Sequence, residues 1–351
     1  MARSQWLGGL AAAVGLGAAA LGARALVRSS RGVALRGRAV IITGASRGLG
    51  YATAKAFARE GCYLAVCARD PEELAGLREE LRACGAPEVF VARCDVTQPD
   101  EVRTFVHETL VRFGEIDVLV NNAAEAQVGP VTAMRAADYE MALQGIFWTV
   151  YHPTAAVLPY MRSRGFGRVV NVTSLFGKAP CPHMATYATA KAAATAFSEA
   201  LSVELGKDGI DVSTVVPQPI RNAAYLNTWF VGRAEEEFAW FTRALTSTPW
   251  TVDAERVATA IVRAARYGDR EVHVGLGAWA WARLYAVAPS FATSLLARVD
   301  ARLPAPPAPG DEAPPRLGVE IQARSTDPDV QSAARVGVED AAAYRQPLIG
   351  T

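Results

Sequence analysis

The sequence predicts an α/β fold in which helices cover both faces of one parallel sheet. Short β-rich runs alternate with helical windows from Arg38 onward, and the first run leads directly into a glycine-rich turn. This alternation is typical of βαβ units, in which crossover helices join parallel strands. The seven runs that we predict as strands are 39–43, 63–67, 89–94, 116–121, 168–173, 212–216 and 271–274.

The composition excludes two kinds of partner. The formal net charge is +1 and 20% of the residues are charged, so the chain lacks the basic field that nucleic-acid-binding proteins use. The cysteines number 5 and include no C-x-x-C pair, a pattern that predicts reduced thiols rather than disulfides or a metal site. We therefore expect neither a nucleic-acid partner nor a bound metal.

The first 30 residues predict a membrane anchor with a basic flank. Residues 6–23 carry no charge, and this length approaches the ~20 residues that cross a bilayer. Arginines are concentrated in residues 24–38, which places the following domain in the cytoplasm by the positive-inside rule. A cleaved signal peptide and an organelle-targeting segment remain alternatives, because no acidic residue precedes Glu60. The recurrence of Gly8, Gly15 and Gly22 on one helix face suggests self-association, and hence a homo-oligomer.

Two segments follow the predicted catalytic domain, residues 31–275. Residues 276–303 are apolar and carry several aromatic side chains, so they could lie on a bilayer, pack on the domain or form a dimer interface. Residues 304–351 are rich in Pro, Ala, Gly and acidic residues without periodicity. This composition buries little apolar surface, and we predict a disordered tail.

The first predicted strand ends in a turn suited to a phosphate. The sequence from Thr43 to Gly50 reads TGASRGLG, and a helical window follows it. Glycines let the backbone approach a pyrophosphate, and the amino end of the helix offers unpaired N–H groups to the anion. The strand–turn–helix context therefore predicts a dinucleotide site.

A second group of residues predicts proton transfer. Tyr187 and Lys191 are one turn apart in a helical window, so their side chains share one face. A nearby ammonium stabilises the phenolate and should lower the pKa of Tyr187, which would then act as a general acid or base. Ser174 follows a predicted strand, and its hydroxyl could hold a substrate oxygen.

These motifs together resemble the short-chain dehydrogenase/reductase family over residues 36–275. The resemblance rests on the glycine turn, Asp95, the Asn-Asn-Ala sequence from Asn121, and the order of Ser174 before Tyr-x-x-x-Lys. It implies a single doubly wound Rossmann domain with catalytic residues Ser174, Tyr187 and Lys191. The cofactor-binding residues that it implies are Thr43, Gly44, Ser46, Arg47, Gly48, Leu49, Gly50, Arg69, Asp95, Val96, Asn121, Ala123, Tyr187, Lys191, Pro217 and Ile220.

The end of the second strand indicates NADP(H). An NAD enzyme usually places a carboxylate there for the ribose 2′-hydroxyl, whereas arginine accommodates a 2′-phosphate. Ala68 takes the position that resembles the acidic one, Arg69 follows it, and Arg47 in the glycine turn is a second cation. Asp70 could be the acid instead, although it more plausibly starts the next helix.

Three positions depart from the family pattern. Ile146 aligns with the family's active-site asparagine, whose role there is to shape a helix so that a main-chain carbonyl holds a water. A backbone group could survive this change, and restoring asparagine is expected to preserve or raise kcat. The family's Pro-Gly motif appears here as Pro217-Gln218, so Gln218 replaces its glycine. Asn222 replaces a threonine, and Ala124 replaces a glycine.

The substrate is expected to be lipophilic. Residues 221–250 are rich in aromatic side chains and fall where the family carries its substrate cover, which suggests a sterol-like or long-chain carbonyl compound. The alternative is that these aromatics pack the cover onto its own domain. The sequence thus predicts a membrane-tethered carbonyl reductase or alcohol dehydrogenase, and the rival hypothesis is a catalytically silent cofactor-binding scaffold.

Overall fold

Seven parallel strands form the centre of the molecule. The structure, a computed structural model, describes residues 31–246, 250–308, 310, 313–336 and 338–346. The strands are β1 (Ala39–Thr43), β2 (Tyr63–Ala68), β3 (Val89–Arg93), β4 (Val118–Asn121), β5 (Gly167–Val172), β6 (Ile210–Pro217) and β7 (Glu271–Val274). Their order across the sheet is β3-β2-β1-β4-β5-β6-β7, with every neighbouring pair parallel. This doubly wound arrangement confirms the predicted fold class.

The strands are apolar because both faces of the sheet are covered. β1 reads AVIIT and is buried at every position, as expected where helices lie on both sides of a parallel sheet. The fourth strand begins at Val118, two residues later than predicted. The reason is Asp117, whose carboxylate accepts a hydrogen bond from the Ala39 N–H at 2.9 Å and pairs with Arg38.

Helices form a layer on each face. One layer contains α1 (Gly48–Arg59), α2 (Leu77–Ala83) and α8 (Ala254–Tyr267), and the other contains α3 (Pro99–Phe113), α5 (Thr149–Arg164) and α6 (Ala185–Glu204). α4 (Ala136–Ala142) leads into α5 through a π-helical turn, Leu143–Trp148. α7 (Ala234–Thr246) lies in the segment between β6 and α8 that covers the carboxyl end of the sheet.

The prediction of a disordered C-terminal tail is wrong for much of its length. Residues 316–317 pair with 228–230, which also pair with 126–128, in a small three-stranded sheet. α11 (Gly318–Arg324), α12 (Pro328–Val336) and α13 (Val338–Ala343) follow. Ile321, Val330 and Ala341 are fully buried against the aromatic core of the cover. Each helix contributes very few buried residues. The tail is therefore ordered by packing on a surface that distant parts of the chain form.

The apolar segment after β7 forms two helices, α9 (Leu276–Val287) and α10 (Pro289–Asp300). Ala278 and Ala292 are buried, whereas most of the large apolar side chains stay in contact with solvent. The exposed ones are Leu276, Trp279, Val287, Phe291, Leu295 and Val299. Within the described residues, no helix is long and apolar enough to cross a bilayer.

The predicted anchor, residues 1–30, lies outside the described residues. The described chain begins at the amino end of the sheet, where the carbonyl of Arg31 accepts a hydrogen bond from Arg168 at 3.2 Å. The N–H of Val33 bonds to the carbonyl of Arg266 at 2.9 Å. The chain therefore enters the domain on the side where the strands begin, opposite their carboxyl ends.

Candidate active site

A cavity of about 480 Å³ opens at the carboxyl ends of the strands. It lies where β1 and β4 diverge, which is the point at which doubly wound folds bind their ligands. The predicted site residues that line it are Gly44, Ser46, Arg47, Gly48, Leu49, Gly50, Arg69, Asp95, Val96, Ala123, Ser174, Tyr187, Lys191, Pro217 and Ile220. The sequence motifs, which are widely separated along the chain, thus meet around one space.

The glycine turn is shaped by backbone packing. A Cβ atom at Gly50 would lie 1.9 Å from the carbonyl oxygen of Gly44, so no other residue fits there. Gly44 has a φ of 64° and its backbone passes close to Ala123. Asn122 donates its side-chain amide to the carbonyls of Thr43 and Gly44, at 3.1 Å each. These contacts hold the turn in the open form that a phosphate requires.

Two of the predicted cofactor residues lie behind the cavity wall. The hydroxyl of Thr43 accepts hydrogen bonds from the N–H groups of Asn122 and Ala123, both at 3.1 Å. Asn121 is 1% exposed and donates to Asn171 at 2.8 Å and Thr154 at 2.9 Å. Thr43 and Asn121 therefore support the wall rather than line the cavity.

Ser174, Tyr187 and Lys191 converge in the middle of the cavity. Ser174 follows β5, while Tyr187 and Lys191 occupy the first two turns of α6. The ammonium of Lys191 donates to the carbonyl of Val172 at 3.0 Å and lies 5.8 Å from the ring centre of Tyr187. The hydroxyl of Ser174 accepts a hydrogen bond from the N–H of Phe176 at 3.1 Å and lies beside the phenol of Tyr187. The strand end and the helix face bring the three groups together, as the spacing predicted.

The electrostatics of this trio differ from the prediction. Burial raises the pKa of Tyr187, and the neighbouring hydroxyl of Ser174 opposes that rise. Burial also lowers the pKa of Lys191 from 10.5 to about 8. The expected lowering of the Tyr187 pKa by Lys191 is therefore not the dominant effect, because loss of hydration disfavours both charged forms.

Ile146, which aligns with the family's active-site asparagine, lies in the π-helical turn Leu143–Trp148. Ile146 is 1% exposed and packs against Ala142, Ala190 and the ring of Tyr187. Thr149 donates its hydroxyl to the carbonyl of Ile146 at 2.9 Å. Helical bulges of this kind are frequent at functional sites. Here a bulge is present with isoleucine in place of asparagine.

The two arginines predicted for a 2′-phosphate both have carboxylate partners. Arg47 forms an ion pair with Glu73, which also accepts a hydrogen bond from Ser46 at 2.6 Å. Arg69 forms an ion pair with Glu125 and remains 55% exposed at its side chain. Asp70 accepts a hydrogen bond from the Glu72 N–H at 2.9 Å, which agrees with its interpretation as a helix-starting residue.

The family model for short chain dehydrogenases matches residues 38–229. This chain belongs to the short-chain dehydrogenase family. It is 33% identical to the 11-beta-hydroxysteroid dehydrogenase A of Sesamum indicum over 67% of this chain and 68% of the relative. It is 35% identical to the 11-beta-hydroxysteroid dehydrogenase 1A of Arabidopsis thaliana over 57% of each protein. A short-chain dehydrogenase/reductase from Burkholderia phymatum, solved in complex with NAD, superposes with a TM-score of 0.67. That structure is 25% identical, and the match covers 74% of this chain and 96% of the other.

The cover of this short-chain dehydrogenase is built mainly from self-packed aromatics. Tyr225, Phe230 and Phe238 are at most 2% exposed and contact one another edge to face. Phe241 reaches the cavity, whereas Trp250 is 70% exposed. The alternative that the aromatics hold the cover on its own domain therefore accounts for most of them.

A buried hydrogen-bonded pair joins the cover to the start of the catalytic helix. Glu237 of α7 is fully buried and lies 2.8 Å from Nδ1 of His183, which precedes α6. Trp240 donates its indole N–H to the same carboxylate at 2.5 Å. His183 has a φ of 58°, a backbone conformation that is unfavourable for residues other than glycine. This pairing positions the cover beside Tyr187.

Several cavity residues of this short-chain dehydrogenase escaped the sequence analysis. Glu73, Glu125 and Thr97 lie in the segments that follow β2, β4 and β3, and nothing in their spacing marks them as site residues. Gln346 comes from the segment predicted to be disordered. Asn222 was noted only as a departure from the pattern, yet it lines the cavity beside Ile220.

Proposed function

We propose that this chain is an NADP(H)-dependent oxidoreductase that interconverts a carbonyl and an alcohol on a lipophilic small molecule. The observation that carries the proposal is the meeting of Ser174, Tyr187 and Lys191 in the cavity that also contains the glycine turn. A phosphate cradle and a proton-transfer group in one cavity are what a nicotinamide-dependent reaction requires.

The residues present fit a dinucleotide. Gly44, Gly48 and Gly50 line the cavity at the amino end of α1, where a backbone without side chains lets a phosphate come close. Asp95, with Oδ1 held by the N–H and hydroxyl of Thr97, lines the far end of the cavity beside Val96. When bound, the nicotinamide supplies or accepts a hydride.

Tyr187 exchanges the proton. Because burial raises the pKa of its phenol, Tyr187 keeps its proton at neutral pH and can donate it to the oxygen of a carbonyl substrate. Ser174 orients that oxygen, since its hydroxyl lines the cavity beside Tyr187. Lys191, whose pKa of about 8 leaves it mainly protonated at pH 7, stabilises negative charge that develops on the phenol oxygen.

An apolar wall supports a bulky, lipophilic substrate. Phe176, Met184, Phe241 and Leu245 line the cavity next to Tyr187. Such side chains favour a substrate with a large apolar surface, and a small number of polar groups fix the orientation of that substrate. The relatives named as hydroxysteroid dehydrogenases make a steroid-like ketone or alcohol the first substrate class to test.

A silent scaffold is the second candidate, and the replacement of the usual asparagine by Ile146 favours it. The test is turnover of a panel of steroid-like and long-chain ketones and alcohols, followed through NADPH absorbance. Tyr187→Phe serves as the control for contaminating activity. Dinucleotide binding without turnover of any panel member in either direction would favour the scaffold over the enzyme.

The preference for NADP(H) rests on Arg47 and Arg69, and Glu73 makes it testable. In our proposal the 2′-phosphate replaces Glu73 as the partner of Arg47, so Glu73→Gln should tighten NADPH binding roughly fivefold and leave NADH unchanged. Arg69→Ala, more than Arg47→Ala, should weaken NADPH binding and leave NADH binding unchanged. If Glu73→Gln instead weakens NADH, Glu73 holds a ribose hydroxyl and the chain prefers NAD(H).

We also propose that the protein works at a membrane, with its catalytic domain on the cytoplasmic side, as a homo-oligomer. The uncharged stretch of residues 6–23 and the exposed apolar side chains of α9 and α10 support this proposal. Flotation with liposomes tests membrane binding in the full chain and in a Trp279→Ser, Phe291→Ser variant. If the variant floats like the parent while deletion of residues 1–30 abolishes flotation, α9 and α10 do not contribute to membrane binding.

A further inference from the structure

The C-terminal end of the described chain lies on the glycine turn. The carbonyl of Tyr344 accepts a hydrogen bond from the N–H of Gly48 at 2.8 Å. Gln346 is 7% exposed and lines the cavity together with Gly48 and Leu49. A Cβ atom at Gly48 would lie 3.1 Å from the amide nitrogen of Gln346. Residues 344–346, the C-terminal strap, therefore form part of the cavity wall.

Tyr344 and Arg345 fasten the strap to the domain. Arg345 has a φ of 56°, and its guanidinium donates to the carbonyls of Glu73 and Ala75, at 3.0 and 2.8 Å, and to the carboxylate of Glu80. The hydroxyl of Tyr344 donates to Glu255 of α8. This left-handed backbone conformation is unfavourable for arginine, and the three contacts of the side chain stabilise it.

Gln346 joins two walls of the cofactor cleft. Its amide nitrogen donates to the carbonyl of Asn222 at 3.0 Å, and its amide oxygen accepts from Asn227 at 2.5 Å. Asn222 and Asn227 belong to the segment after β6, whereas Gly48 belongs to the turn after β1. The strap therefore bridges the cleft between these two segments, beside the turn that holds phosphate in dinucleotide-binding folds.

We propose that the C-terminal strap is a built-in clasp that closes the pyrophosphate part of the cleft and controls how fast the dinucleotide leaves. The strap leaves the space lined by Gly44, Leu49 and Gly50 open, so it covers the site rather than fills it. A ligand beneath the strap leaves after the contacts of Gln346 and Arg345 have broken, and opening of this kind commonly limits release. The inference rests on the proposed dinucleotide-dependent function.

The experiment measures NADPH and NADH dissociation by stopped-flow fluorescence in the full-length protein and in strap variants. Gln346→Ala removes two hydrogen bonds and should speed dissociation roughly tenfold, and truncation after Ala343 should speed it at least as much. Glu339→Gln, an exposed position on α13, and truncation after Gln346 are the matched controls. Amide exchange at Gly48 without dinucleotide should rise when the strap is removed, because its N–H loses the Tyr344 carbonyl.

The outcomes separate this inference from the proposed function. Faster dissociation in both strap variants, with controls like the parent, supports the clasp. Dissociation that is unchanged or slower in the strap variants overturns it, and tighter binding on truncation would make the strap a competitor instead. If the parent protein binds neither NADPH nor NADH, the proposed function itself fails and the clasp fails with it.

Discussion

Ile146→Asn should destabilise the fold before it affects the chemistry. Ile146 is 1% exposed and is surrounded by Ala142, Ala190, Leu143 and the ring of Tyr187. The π-helical turn is held by the hydroxyl of Thr149, which bonds to the carbonyl of residue 146 rather than to its side chain. The substitution therefore changes packing while the carbonyl keeps its partner.

The size of the effect follows from this burial. Removing a fully buried isoleucine from an apolar site forfeits about 2–3 kcal/mol. A carboxamide without partners in the same place adds about 1–3 kcal/mol. We expect the free energy of unfolding to fall by about 3–6 kcal/mol, and kcat per folded molecule to stay within roughly tenfold of the parent.

Urea unfolding, followed by tryptophan fluorescence and circular dichroism, measures the loss. Ile146→Val is the matched control and should cost about 1 kcal/mol. A stability loss below about 1 kcal/mol in Ile146→Asn would mean that the amide finds partners, and the apolar description of the site would be refuted. A large rise in kcat would show that the turn needs the asparagine side chain after all.

Three further predictions concern the catalytic trio and the cover. Tyr187→Phe should lower kcat at least about 100-fold while dinucleotide affinity stays within a few-fold, and full turnover would remove Tyr187 from proton transfer. The pKa of Lys191 is about 8 in the folded protein against 10.5 ordinarily, so the unfolded chain binds more protons between these values. Burial of Lys191 therefore costs stability below pH 8, and the parent should gain stability relative to Lys191→Met from pH 8 to 10 in urea titrations. His183→Asn keeps a residue that tolerates the positive φ but breaks the pair with Glu237, and it should lower the free energy of unfolding by about 3 kcal/mol; a loss below about 1 kcal/mol would contradict a role for this pair in holding the cover.

The sheet and the catalytic trio could be predicted because their signals are local or periodic. The β-rich runs differ from the observed strands by a few residues at their ends, and Gly44, Gly48 and Gly50 are each required by the backbone of the turn. The spacing of Tyr187 and Lys191 translates directly into one helix face. Such features need no knowledge of distant contacts.

The tail and the ion pairs of the cleft could not be predicted because they depend on contacts between distant residues. Val330 and Ile321 are buried against α7 and its neighbours, although their own helices are too short to show periodicity. Glu73 and Glu125 can be recognised as ion-pair partners only once the fold places them beside Arg47 and Arg69. The pKa of Tyr187 likewise depends on burial, which the sequence does not display.

If residues 1–30 anchor the protein as proposed, the point at which the chain enters the domain limits how the domain can be oriented on a bilayer. Arg31 contacts the amino end of the sheet, whereas the cavity opens at the carboxyl end. A domain hanging from its entry point alone would turn the mouth of the cavity toward water, and a lipophilic substrate would have to cross that water to reach it. α9 begins after the carboxyl end of β7, and the N–H of Ala278 donates to the side chain of Gln218 in the cavity wall. If α9 also touched the lipid, the mouth of the cavity would lie nearer the headgroups.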